Sequence, residues 1–156
     1  MGHPSRGYFT PFTISDGSVL VRDEIEEYLN ILVIDDEETV CAALKVVFKC
    51  VGHAVDAVYD GEQALSRLRE LPHHYQILVM DHFMKKISGL EFMVNLPVNT
   101  FKGKIIVLSG YLTPELEAKY RALGADRIMR KPFDADELRK AIEELSPKPG
   151  QQQNKS

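Results

Sequence analysis

The sequence predicts an α/β domain: a three-layer, doubly wound parallel sheet of five strands. Three observations carry that expectation. From residue 31 onward, short apolar runs alternate with longer amphipathic segments, the pattern of a repeated βα unit. Three of the five runs are apolar almost throughout, as strands are when helices cover both faces of a sheet. Polar residues close most of the runs, and in such sheets ligands gather outside the carboxyl ends of the strands.

The elements follow in order. ILVID at 31–35 is the first strand. Val40, Leu44, Val47, Phe48 and Val51 then recur at i, i+4, i+7, i+8 and i+11, one face of a helix that Gly52 terminates. AVDAVY at 54–59 is more mixed and suits an edge strand. Between Asp60 and Pro72, Ala64, Leu65, Leu68 and Leu71 form the stripe of a second helix. QILVMD at 76–81 is the third strand, and GLEFMVNLP a short, weak helix stopped by Pro97. KIIVLSG at 104–110 is the fourth strand. Leu116, Tyr120 and Leu123 stripe the next helix, opened by Thr113-Pro114-Glu115 and closed by Gly124. DRIMRKP at 126–132 is a mixed strand for the other edge. In the last helix Leu138, Ala141, Ile142 and Leu145 share a face, and Asp134 with Glu137 has the spacing of a capping box.

The predicted domain thus occupies 31–146, with two flanks. In the extension at 1–30, Leu20, Val21, Ile25, Tyr28 and Leu29 would line one helical face, either packed on the domain or docking a partner. Residues 147–156, PKPGQQQNKS, have the composition of a flexible tail or linker. The 156 residues carry 23 acidic and 19 basic side chains, intermixed, so no basic face for nucleic acid is expected. No apolar stretch approaches the roughly 18–20 residues of a membrane span, and MGHPSRGYFTPF lacks the order of a signal peptide. A cytoplasmic protein is the expectation, without membrane binding. Cys41 and Cys50, nine positions apart on one helix, fall on opposite faces and cannot bridge each other. Adjacent His73 and His74 lack a partner at ligand spacing and are expected to be solvated loop residues.

The first strand ends in Asp35-Asp36-Glu37, the third in Asp81, the fourth in Ser109-Gly110 and the fifth in Lys131-Pro132. Singly, each is a common turn residue. Together they fall on one edge of the predicted sheet. The acidic cluster in LVIDDEE, Asp81 in ILVMDHFM with Gly89 eight residues on, Ser109 in IVLSG and Lys131 in MRKPF resemble the response-regulator receiver domains of two-component signalling, chemotaxis regulators among them. The resemblance implies a flavodoxin-like strand order of 2-1-3-4-5. It also implies a switch that accepts a phosphoryl group from a phosphohistidine donor onto Asp81, with magnesium, and thereby alters a partner-binding surface.

The chemistry of the residues agrees. Three carboxylates converging on one cleft repel each other unless a cation or proton offsets them. Magnesium accepts a few carboxylate or carbonyl oxygens, keeps several waters and shares its shell with a phosphate oxygen. By resemblance, Asp36, Asp81 and the Phe83 carbonyl would bind the metal directly, Asp35 chiefly through water, and Glu37 would stay a solvated acid. Lys131 would pair first with Asp81 and then with a phosphoryl oxygen, to which the Ser109 hydroxyl would also donate. Implied partners are a histidine kinase or histidine phosphotransfer protein as donor and a downstream protein, with homodimerisation left open. Family members catalyse only their own phosphorylation and dephosphorylation, and the bond before Pro132 is usually cis in them.

Two departures stand out. Lys85 replaces a customary proline, which predicts a looser loop with an added cation near the site. Ile128 stands where a switch tyrosine or phenylalanine is common, which removes the expected ring from signal transmission. By the same resemblance, Phe83 and Tyr111 sit where side chains flank the path of attacking water, and two bulky rings there are expected to slow hydrolysis. The alternatives are a phosphorylation-independent scaffold of the same fold, or a magnesium-dependent phosphatase of the haloacid dehalogenase type. The latter needs a second aspartate two residues after the nucleophile, where this chain has Phe83 after Asp81 and Glu37 after Asp35. A flavin-binding electron carrier would need a phosphate-cradling loop where Asp35-Asp36-Glu37 presents negative charge.

Overall fold

In the computed structural model, which describes residues 28–97 and 99–146, strands and helices alternate strictly. The order is β1 (Asn30–Ile34), α1 (Glu38–Cys50), β2 (Ala54–Val58), α2 (Gly61–Glu70), β3 (Ile77–Asp81), α3 (Gly89–Asn95), β4 (Lys104–Ser109), α4 (Pro114–Ala122), β5 (Arg127–Arg130) and α5 (Ala135–Leu145). The strands pair in parallel as β2-β1-β3-β4-β5, the expected order. The mixed strands β2 and β5 take the edges, and the apolar β1, β3 and β4 the centre.

Successive side chains of a strand point to opposite faces, so each central strand feeds two apolar layers. Leu32, Ile34, Leu78, Met80, Ile105 and Val107 face α2, α3 and α4. Ile31, Val33, Ile77, Val79, Ile106 and Leu108 face α1 and α5. These layers hold the strand ends, and hence the polar edge, in place.

Caps set the helix starts. Asp60, Ser88, Thr113 and Asp134 each accept a hydrogen bond from the backbone N–H three residues on. The capping box of Asp134 and Glu137 forms as its spacing predicts. A second, of Ser88 and Glu91, opens α3 and explains how a helix of seven residues holds.

Several expectations change in detail. Leu71 and Leu123, read as inward stripe positions, lie just past the ends of α2 and α4 and are 38% and 39% exposed. Neither Tyr28 nor Leu29 is helical; Tyr28 is exposed, and Leu29 is buried with the α1 and α5 layer. Leu20, Val21 and Ile25, like the tail at 147–156, lie outside the described residues. Cys41 is buried and Cys50 exposed, on opposite sides of α1 as expected, and His73 and His74 are exposed. Among the described residues no helix is long and apolar enough to cross a membrane.

Candidate phosphorylation and metal site

Parallel register brings the strand ends to one edge: Asp81 pairs with Leu108, and Ser109 with Arg130. Asp35 and Asp36 follow β1 directly, and Lys131 follows β5. Asp35, Asp36 and Asp81 each offer a carboxylate oxygen within 4.8 Å of the others. Asp35 and Asp81 are buried, and Asp36 is half-buried. Lys131 Nζ stands 3.0 Å from Asp81 Oδ1 and 3.6 Å from Asp35 Oδ2, the second beyond hydrogen-bond reach. Glu37 is exposed, as expected.

Burial dominates the electrostatics. It pushes the Asp35 carboxyl up, partly opposed by the Glu37 N–H that Asp35 Oδ1 accepts at 2.9 Å, and the Asp81 charge adds to the rise. Burial would pull the Lys131 ammonium down, but the hydrogen bond to Asp81 and the charges of Asp81 and Asp35 together raise it. Lys131 is therefore a fixed cation shared by two acids. It leaves negative charge in excess.

Asp35 Oδ2 is buried and makes no hydrogen bond. A buried carboxylate oxygen without a hydrogen bond is costly, and the Lys131 ammonium at 3.6 Å offsets only part of that cost, so a further proton or cation would complete it. Oxygen donors on three carboxylates, closely grouped and partly open to water through Asp36, fit a small hard cation with retained waters.

Ser109 is fully buried beside the site, but its hydroxyl donates to the Tyr111 carbonyl at 2.5 Å and accepts the Tyr111 N–H at 3.2 Å. It must rotate before it can serve a phosphoryl oxygen. Phe83 and Tyr111, each two residues past a strand-end site residue, are 62% and 63% exposed. The Lys131–Pro132 bond is cis.

In the β3–α3 loop Lys85 is exposed. Its neighbour Lys86, at φ 71°, reaches across to Asp60 Oδ2 at 2.9 Å and Glu62 Oε2 at 3.3 Å, pinning the loop to the start of α2. Ile87 packs over Gly61, where a Cβ would come within 2.5 Å of it. The Asp60 carboxyl is held low, first by the Gln63 N–H and also by Lys86, against the cost of burial. Sequence reading missed this clamp, and it missed a second pair. His82, the residue after Asp81, has its Nδ1 2.5 Å from the hydroxyl of Tyr120 on α4. Burial pushes the His82 ring down and the Tyr120 hydroxyl up, disfavouring the charged form of each. Ile128 lies half-buried against the same apolar layer.

Comparison with known proteins places this geometry. The family model described as the response regulator receiver domain matches residues 31–143. A probable chemotaxis protein CheY of Rhizobium etli is 30% identical over 122 residues, covering 76% of this chain and 93% of that protein. Protein PilG of Pseudomonas aeruginosa is 32% identical, covering 73% and 84%. The chain spans about half of another relative, the transcriptional regulatory protein DltR of Streptococcus agalactiae, at 29% identity, 70% of this chain and 48% of that protein. Among solved structures, the receiver domain of Francisella response regulator 1452 superposes with a TM-score of 0.68 at 26% identity, covering 75% of this chain and 95% of that one. Vibrio cholerae chemotaxis protein CheY4 shares the fold at a TM-score of 0.70 and 22% identity, covering 77% and 100%.

Proposed function

The chain belongs to the response regulator receiver family and is a phosphorylation-dependent switch; from that premise we propose that Asp81 is its phosphoacceptor and that the acidic edge holds magnesium. Asp36, Asp81 and the Phe83 carbonyl would hold the ion directly and Asp35 chiefly through water. The observation that carries this reading is the grouping of three carboxylates around one lysine, with Lys131 Nζ 3.0 Å from Asp81 Oδ1 and Asp35 Oδ2 lacking a hydrogen bond.

The donor is a phosphohistidine, presented by a histidine kinase or a histidine phosphotransfer protein. An Asp81 oxygen attacks phosphorus in line; a P–O bond forms as the P–N bond breaks, and the departing imidazole keeps the electron pair and takes up a proton. When bound, the magnesium ion supplies positive charge that offsets the phosphoryl oxygens. Lys131 exchanges its carboxylate partner for one of those oxygens, and the Ser109 hydroxyl, rotated from the Tyr111 carbonyl, donates to another. Water later attacks phosphorus and releases phosphate, with Phe83 and Tyr111 narrowing its approach.

The domain at 31–146 acts in the cytoplasm through a downstream protein rather than by contacting nucleic acid or membrane. The test is intact-mass analysis after incubation with acetyl phosphate and magnesium. One added phosphoryl group is expected, absent with a chelator and absent in Asp81→Asn. Equal labelling of Asp81→Asn would discard Asp81 as acceptor. An unlabelled wild-type chain at every donor concentration would favour a phosphorylation-independent scaffold.

A further inference from the structure

Helix α4 is fastened to the sheet by one fully enclosed side chain. Of its nine residues only Tyr120 is buried, with no exposed surface; Leu116 and Glu117 are half-buried and the remainder exposed. The Tyr120 ring fills the layer beneath β3 and β4, and its hydroxyl meets His82 Nδ1 at 2.5 Å. The hydroxyl lies so close to the start of α3 that a Cβ on Gly89 would come within 2.5 Å of it. The same Cβ would lie 3.1 Å from the Asp81 carbonyl oxygen. His82 in turn is locked to the sheet, its N–H donating to Leu108 O at 2.9 Å and its carbonyl accepting the Gly89 N–H at 3.0 Å. The anchor of α4 thus ends on the residue bonded to the phosphoacceptor. Nothing comparable exists at position 128, since Ile128 has no polar tip.

We propose that Tyr120 is a positioning residue of the switch: its hydrogen bond to His82 holds α4 in its resting place, and displacement of the β3 end on phosphorylation of Asp81 breaks that bond and releases the helix. This rests on Asp81 being the acceptor. The Tyr120 hydroxyl end of this bond is fully buried and His82 is half-buried; a hydrogen bond so shielded is stronger than one in water, and a buried hydroxyl left unpaired is costly, so breaking the bond is a discrete event rather than a gradual stretch. The apolar layer alone holds α4 weakly, so loss of one polar bond changes the helix more than it changes the domain.

Hydrogen exchange over residues 114–122, with and without beryllium fluoride and magnesium, tests the link in the full chain. In the wild type, the phosphoryl mimic should speed exchange by about threefold or more. In Tyr120→Phe the helix should exchange fast in both conditions, with a ratio near one. A purely structural tyrosine would raise both rates and leave the ratio at its wild-type value, which would overturn the proposal. If Tyr120→Phe folds poorly because His82 is left unpaired, His82→Phe/Tyr120→Phe removes both polar ends; a wild-type ratio in that variant also overturns it. Acetyl phosphate labelling separates the two readings. Labelled wild-type protein whose α4 does not respond sinks the link alone, whereas unlabelled protein sinks the assignment of Asp81 and the link with it.

Discussion

Helices α4 and α5 flank the same edge strand, β5, yet they are held by different physics. Helix α5 opens with a two-way capping box and buries Leu138, Ala141 and Ile142 in one stripe. Its Glu144 also pairs with Arg127 of β5. Helix α4 has the Thr113 cap, the Pro114 start and one buried ring, and its Arg121–Glu117 pair, at 2.7 Å, lies on its own surface. On the proposed switch, the difference separates a structural support from an element that can be moved. A stripe of apolar side chains resists displacement in proportion to the area it hides, whereas a single ring with a polar tip can be released by breaking one bond.

The largest effect that could break the contrast comes from truncating one aliphatic side chain on the inner face of each helix. Ile142→Ala should cost about 2–5 kcal/mol in urea unfolding, as for a buried aliphatic side chain. Leu116→Ala, only half-buried, should cost clearly less; equal losses would mean that α4 is anchored as firmly as α5. The caps sharpen the contrast at smaller scale. Asp134→Ala and Thr113→Ala each remove about 1 kcal/mol of helix stability. The first should shift the global unfolding midpoint, and the second should chiefly speed amide exchange within 114–122. The smallest effect concerns the connections into the two helices. Tyr111, before α4, stands exposed, while Phe133, before α5, is partly buried against the core. Tyr111→Ala and Phe83→Asn should each hasten loss of the phosphoryl group by about threefold, equivalent to ~0.6 kcal/mol of barrier. An unchanged decay rate would show that the rings do not shield the site.

Most of the fold was legible because its signals are local. Alternating apolar runs, Gly52 and Gly124 after helices, and the Asp134–Glu137 spacing each depend on a few neighbouring residues. The site residues were legible for a related reason: Asp35, Asp36, Asp81, Ser109 and Lys131 all terminate or follow strands, so predicting the strands also predicts that they meet. The capping box of Ser88 and Glu91 was equally local, but the brevity of α3 hid it. Pairs set by loop path and helix rotation were not readable. Lys86 lies 26 residues from Asp60, and His82 lies 38 from Tyr120; whether either pair meets depends on loop path and helix rotation, which periodicity alone leaves undetermined. Hence Lys85 drew notice as the added cation, while its neighbour holds the loop. The absent ring at 128 was plain from the sequence, and the ring at 120 looked like one more apolar stripe position.

Gly89 has a consequence for how this sequence can drift. Its missing side chain makes room for a hydroxyl that arrives from 31 positions later in the chain, at the distal tip of Tyr120. Positions 89 and 120 therefore cannot vary independently. A lineage that acquires alanine at 89 must first lose the hydroxyl at 120, and even then the Asp81 carbonyl at 3.1 Å leaves little slack. Descendants that retain a tyrosine at 120 should retain glycine at 89, whereas those with a smaller residue at 120 have one constraint fewer there.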